Sequence, residues 1–169
     1  MYETRYTKLT ELRTVSKYMR SHQCGVLTTS VSVIAFNRHG GKILVTLNER
    51  REIVGVFAYV VMEAPDTFSW DKHLLVQAAV VNDKLCADIT DSMRLAIYAV
   101  LSTQQAKYAT TYPMSSSREC EGLMLALGFL PEDVGSGSLT YTCRASDNHM
   151  GAVILERILN GHCETLVEV

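Results

Sequence analysis

The residues best suited to chemistry gather around one strand-to-helix junction. Lys72-His73-Leu74-Leu75-Val76-Gln77-Ala78-Ala79-Val80-Val81-Asn82 is an apolar run that predicts a buried strand. From Asp88 to about Gln105, apolar residues recur at helical spacing: Ile89, Met93, Ala96, Ile97, Val100 and Leu101. This predicts a helix with Asp88 as its N-cap. The first-turn amides of a helix lack partners and carry a partial positive charge, so such a junction is a natural seat for an anion. Glycines there let a phosphate approach the backbone. None occurs between Gly55 and Gly122, and the junction reads Asp83-Lys84-Leu85-Cys86-Ala87-Asp88. A carboxylate at Asp88 caps its own helix and repels phosphate. On the strand, alternation puts His73, Leu75 and Gln77 on one face. Gln77 can orient a water but cannot serve as a base. Cys120 stands near the start of a second predicted helix, Cys120 to Leu127, where a thiolate is favoured. The plainer reading of Cys120 is a packed thiol.

Composition bounds the scaffold that must position these groups. The chain has 169 residues, 47% apolar and 20% charged, which is the balance of a soluble globular domain. A domain of this size buries about two-thirds of its unfolded surface, so it needs no staples. The net charge of −2 offers no footprint for a nucleic acid, and Glu49-Arg50-Arg51-Glu52 neutralises itself. The five cysteines, Cys24, Cys86, Cys120, Cys143 and Cys163, are odd in number and irregular in spacing. They read as reduced thiols of a cytoplasmic protein. His22-x-Cys24 and His162-Cys163 lack the paired spacing of zinc sites, so no metal is expected. Residues Met1 to Tyr6 have no leader-like apolar core, and the longest apolar runs, Ile53–Met62 and Leu74–Val81, are too short for a bilayer. No membrane partner is expected.

The remaining elements follow from periodicity and turn chemistry. Tyr2–Tyr6 alternates as a strand. Thr7 or Thr10 is the expected cap of a helix with Leu9, Leu12, Val15 and Met19 on one face. Val31–Phe36, Lys42–Leu47 and Ile53–Met62 read as three strands, joined by hairpin turns at residues 37–41 and 48–52. Lys107–Met114 reads as a strand that ends, or lies at an edge, because of Pro113. Ser115-Ser116-Ser117 opens the second helix, and Gly128 closes it in the left-handed conformation. Phe129-Leu130 and Ser138–Arg144 are closing strands around the loop 132–137. Strand–helix–strand order in the middle implies a parallel crossover, hairpins imply antiparallel pairs, and together they make an α/β fold with a mixed sheet.

Three segments, in order and spacing, resemble the GNAT superfamily of acyl-CoA N-acyltransferases. They are Lys42–Leu47 with Ile53-Val54-Gly55-Val56-Phe57-Ala58-Tyr59, the strand ending Val80-Val81 with its helix, and Leu123-Met124-Leu125-Ala126-Leu127-Gly128-Phe129. The likeness covers about Tyr2 to Arg144. It implies a GNAT-like domain over 1–146 whose strands Lys72–Asn82 and Lys107–Met114 are parallel neighbours splayed at their C-terminal ends. It implies acetyl transfer from acetyl-CoA to a primary amine of a small molecule or protein, by direct attack. The backbone of Ala79, Val80 and Val81 would hold the thioester, and Cys86, Ala87, Asp88, Ile89 and Thr90 would flank the pyrophosphate. Ser117 falls where an Asn often contacts the cofactor. Glu63 would accept the amine proton, usually through water. Met124 falls where a Tyr often protonates the leaving thiolate, so Tyr112 is the substitute acid. In this register Leu85 stands for the family's Gln or Arg, Asp88 for the first Gly and Thr90 for the second Gly/Ala.

Two other readings keep the scaffold. One is a non-catalytic binding or structural protein, a kind known among tailed-phage virion and accessory proteins, which places it in a host cytoplasm or a virion. The other is a changed donor, an aminoacyl or other activated carrier. The loop 83–88 discriminates among them. In the tail, 147–169, the stripe Met150, Val153, Ile154, Ile158 and Leu159 predicts a helix packed on its own domain or, as the favoured version, in a homodimer.

Overall fold

In the computed structural model, residues 1–22, 33–63, 71–82, 86–115, 118–145 and 163–166 are described. In chain order the elements are β1 (Tyr2–Tyr6), a 3-10 turn (Leu9–Glu11), α1 (Leu12–Ser21), α2 (Val33–Arg38), β2 (Lys42–Leu47), β3 (Ile53–Met62) and β4 (His73–Val81). There follow α3 (Ala87–Thr103), β5 (Tyr108–Thr111), β6 (Met114–Ser115), α4 (Arg118–Ala126), β7 (Leu130–Asp133), β8 (Ser138–Arg144) and β9 (Cys163–Leu166). The nine described strands form one sheet. β1 to β4 are antiparallel neighbours in sequence order, and β9 lies outside β1 at the sheet's edge. β4 and β5 are parallel, and β8 runs antiparallel to β5, β6 and β7. The mixed sheet and the parallel β4–β5 crossover are those expected from the sequence.

Alternation decides which side chain meets which layer. Leu74, Val76, Ala79 and Val81 of β4 pack with Met93, Ile97 and Leu101 of α3, with Leu123 and Met124 of α4, and with Leu127 just after it. Ala78 and Val80 pack on the other face, with Leu12, Val15 and Tyr18 of α1. Neither Thr7 nor Thr10 caps α1. Instead the Glu11 carboxylate accepts the Lys8 amide at 2.9 Å and Arg5 at 2.6 and 3.0 Å. Leu9 is 77% exposed, and Tyr18 takes its expected place on the buried face. Among the described residues no helix is long and apolar enough to cross a membrane.

Several expectations are corrected. Val33–Arg38 is a helix, although its β-branched start favours a strand. Val33 and Phe36 pack on the α1 side of the sheet. Gly40, at φ +89°, and the Gly41 N–H to Phe36 C=O bond of 2.9 Å close a helix, where a hairpin turn was expected. A Cβ on Gly41 would lie 2.4 Å from the Phe36 ring. Lys107–Met114 breaks at Tyr112-Pro113, as Pro113 implies, because proline cannot donate to the ladder, and only the short β6 continues it. Cys86, not Asp88, is the N-cap of α3, and Asp88 lies in its first turn. The tail is not helical throughout: Cys163–Leu166 forms β9, parallel to β1 and against α3. The apolar stripe of the tail lies outside the described residues.

Two other helix ends use the same closure. Phe129 N–H reaches Met124 C=O at 2.9 Å across Gly128, at φ +88°. Ala106 N–H reaches Leu101 C=O at 2.9 Å across Gln105, which holds φ +53° without being glycine. Gln105→Gly is therefore expected to raise stability by about 0.5–1 kcal/mol. Gly128→Ala should lower it by more than about 1 kcal/mol, since its Cβ would also meet Arg94 Nε at 3.0 Å. Urea titration of both variants checks the pair.

Within the core, the Tyr6 and Tyr59 hydroxyls are hydrogen-bonded. Burial, then the bond to Tyr6, push the Tyr59 phenol well above its ordinary value near 10, and burial raises Tyr6. The folded form keeps protons that the unfolded form releases. Stability is thus intact below about pH 10 and falls as pH rises further. Melting curves from pH 8 to 11 should show this fall, with a shallower slope in Tyr59→Phe.

Candidate active site

The β4–β5 ladder begins at His73↔Tyr108 and ends at Val76↔Thr111. β4 nevertheless continues along β3 until Val81 faces Gly55. A strand edge therefore opens inside the sheet along Gln77–Val81, on the side where β5 has ended. Two local irregularities produce it. Against β3, Ala58 faces Ala78 while Tyr59 faces Val76, so Gln77 is an extra, bulged residue. On the other bank, Pro113 ends β5, and pairing to β8 resumes only at Met114↔Leu139.

The two irregularities face each other. Gln77 Nε2 donates to the Tyr112 hydroxyl oxygen at 3.3 Å, across the mouth of the opening. Tyr112 is 47% exposed. Its backbone is pinned by Thr111, whose Oγ1 donates to the Tyr112 carbonyl at 3.0 Å and accepts the Tyr141 amide at 3.1 Å. Ala79, Val80 and Val81 lie along the open edge with their side chains committed to the two cores. What they can offer a ligand is backbone. Met124 is fully buried, so it neither reaches the mouth nor has a proton to give.

At the head of α3, Ala87, Asp88 and Ile89 are the first three residues, whose amides a helix cannot satisfy. Thr90 is buried, and its hydroxyl donates back to the Ala87 carbonyl at 3.1 Å. Cys86 is half-buried, with its thiol 3.9 Å from the Tyr2 hydroxyl. The strand exit is fixed from the other face, where the Tyr18 hydroxyl donates to Asn82 Oδ1 at 2.5 Å. Residues 83–85 and Ser117 lie outside the described residues, as does the side chain of Cys120.

Glu63 is not brought to this mouth. It follows Met62, which faces His73 at the beginning of β4. Four residues of strand separate His73 from Gln77, about 13 Å. The Glu63 carboxylate is bound there to Lys72 Nζ at 3.1 Å. The sequence placed it at a strand end correctly, but antiparallel pairing makes that the wrong end. His73 is stacked on Tyr108 at 4.8 Å, one row of the same face. The Gln77–Tyr112 pair is what sequence reading missed, and its only local signal was Pro113.

No family model and no curated protein matches the chain. Solved structures do. One is a ribosomal-protein-S5-alanine acetyltransferase from Vibrio fischeri, with 14% identity, 86% of this chain and 94% of that chain covered, and a TM-score of 0.59. Another is a SpeG spermidine N-acetyltransferase variant from Vibrio cholerae, with 9% identity, the same coverage and a TM-score of 0.59. A third is an acetyltransferase of the GNAT family from Staphylococcus aureus, with 9% identity, 86% of this chain and all of that chain covered, and a TM-score of 0.61. The fold of this chain is thus the GNAT fold, reached with a divergent sequence.

The site fits the two ends of acetyl-CoA unequally. The open edge of β4 suits an extended thioester arm, which can pair with it as a further strand. The head of α3 supplies amides, but it carries Asp88 where a pyrophosphate would sit and no glycine to admit one. Acetyl-CoA is therefore expected to bind more weakly than micromolar. Asp88→Asn should tighten it by about tenfold, the scale of one partly screened charge. Calorimetry on both proteins checks this, and micromolar binding by the unaltered protein would contradict it.

Proposed function

We propose that the protein is an N-acyltransferase that moves an acetyl group from a thioester donor to a primary amine. The observation that supports this is the open β4 edge with an exposed phenol across its mouth. When bound, acetyl-CoA would supply an activated acyl group on a thiol leaving group. The backbone along Ala79–Val81 receives the extended donor arm, and the first turn of α3, Ala87 to Ile89, faces its anionic end. Cys86 and Thr90 flank that seat. Tyr112 is the general acid. As the amine nitrogen bonds to the acyl carbon and the carbon–sulfur bond breaks, Tyr112 gives its proton to the sulfur. The amine loses one proton to water, and the solvent returns one to Tyr112. Glu63 has no part in this route.

The similar solved proteins are, by name, acetyltransferases of a ribosomal-protein alanine and of spermidine. We take the acceptor here to be a primary amine of the same broad kind, on a small molecule or a protein. A cytoplasmic location (a host cytoplasm or virion for a phage protein) and a homodimer belong to this reading. A second reading, a binding protein without catalysis, is favoured by Asp88 alone.

The test is acetyl transfer from acetyl-CoA to a panel of primary amines. Tyr112→Phe is expected to lower kcat by about a hundredfold, the usual weight of a general acid. Glu63→Gln should leave kcat within about threefold, whereas a hundredfold loss there would restore Glu63 as the base. No transfer to any amine, with acetyl-CoA bound, would favour the second reading.

A further inference from the structure

We propose that Gln77 is a positioning residue that sets the direction in which Tyr112 gives its proton. The inference rests on the acyltransferase reading and concerns the polarity of one hydrogen bond. Gln77 is the bulged residue of β4, so its side chain is placed by an irregularity of the ladder and not by the alternation that buries its neighbours. It reaches over the mouth to a residue that is itself held out of the ladder by Pro113 and pinned by Thr111. The amide donates and the phenol oxygen accepts, at 3.3 Å. A phenol has one hydrogen and can accept as well. With its oxygen engaged by the amide, the Tyr112 hydrogen is turned away from Gln77 and toward the opening. An amide donor here also favours the charge that grows on the phenol oxygen as its proton leaves.

The chemistry of that step is balanced. The nitrogen–carbon bond forms, the carbon–sulfur bond breaks, and the sulfur takes the Tyr112 proton. The Gln77 amide stays bonded to the oxygen throughout and is not consumed.

A change of nearly identical shape tests this. Gln77→Glu keeps the side-chain length but replaces the donor by an acceptor, so Tyr112 must donate to the carboxylate and its proton is captured. Gln77→Ala merely removes the donor. Among the variants that retain the Tyr112 phenol, kcat is expected to fall about tenfold in Gln77→Ala, the worth of one hydrogen bond. It should fall about a hundredfold in Gln77→Glu, as if the acid were lost. KM for the donor should stay within about threefold. In the Tyr112→Phe background neither change at Gln77 should matter further.

A second readout does not need turnover. Tyrosine labelled at the hydroxyl-bearing carbon gives an NMR signal, assigned as Tyr112 by its loss in Tyr112→Phe. That signal should move in Gln77→Ala and move further in Gln77→Glu. An unmoved signal overturns the hydrogen bond, and with it the proposal. A moved signal with kcat unchanged in Gln77→Glu overturns the positioning role while leaving the acyltransferase reading standing. Absence of transfer by the unaltered protein overturns the acyltransferase reading and, with it, this proposal.

Discussion

A strand edge left without a neighbour in the middle of a sheet governs this molecule. Backbone amides and carbonyls need partners, and buried ones almost always have them. β4 and β5 satisfy each other only from His73↔Tyr108 to Val76↔Thr111. Beyond that, the sheet is held together by β4 against β3 on one bank and by β6 against β8 on the other. The opening persists because both banks are anchored. Ala79 and Val81 are locked under α3, and Tyr141 and Cys143 of β8 belong to the same core. The banks cannot slide together without breaking that packing.

The helices above the opening are tied to it by close approach. Thr4, Thr46 and Ser92 form a buried chain of hydroxyls, at 2.8 Å each, that joins β1, β2 and α3. Gly55 lets Met93 sit so near that a Cβ would lie 2.7 Å from its methyl. α3 is thereby set low on the sheet, with its N-terminus at the exit of β4. That placement creates the anion seat, and the residue types then work against it. Asp88 supports the helix through the dipole, and Thr90 spends its hydroxyl on the helix's own first turn. Geometry and local chemistry thus disagree at the head of α3, while they agree at the mouth.

Much of the fold was legible because its signals are local. The apolar runs of β2, β3 and β4, the spacing of Ile89, Met93 and Ile97, and the glycine ending α4 each act within a few residues. Val33–Arg38 is helical against its local propensity, because β-branched propensity is weak beside packing on the cluster of Ile43, Val45 and Tyr18. The closing Gly40-Gly41 pair suits a hairpin as well as a helix end, and only the Phe36 ring above it decides. Cys86 displaced Asp88 as the cap because the helix begins two residues earlier, a difference no periodic pattern resolves.

The candidate site divides along the same line. The strand–loop–helix junction, the absence of glycine in it and the break at Pro113 can be read from the chain alone. These are properties of residue type and neighbour. The position of Glu63 at the far end of the ladder comes from the folded sheet, because antiparallel pairing sends the end of β3 to the start of β4. That sheet alone placed the bulge at Gln77, which depends on register with β3. And it alone brought Gln77 to Tyr112, residues 35 positions apart whose meeting requires a crossover helix, a parallel ladder and its early end.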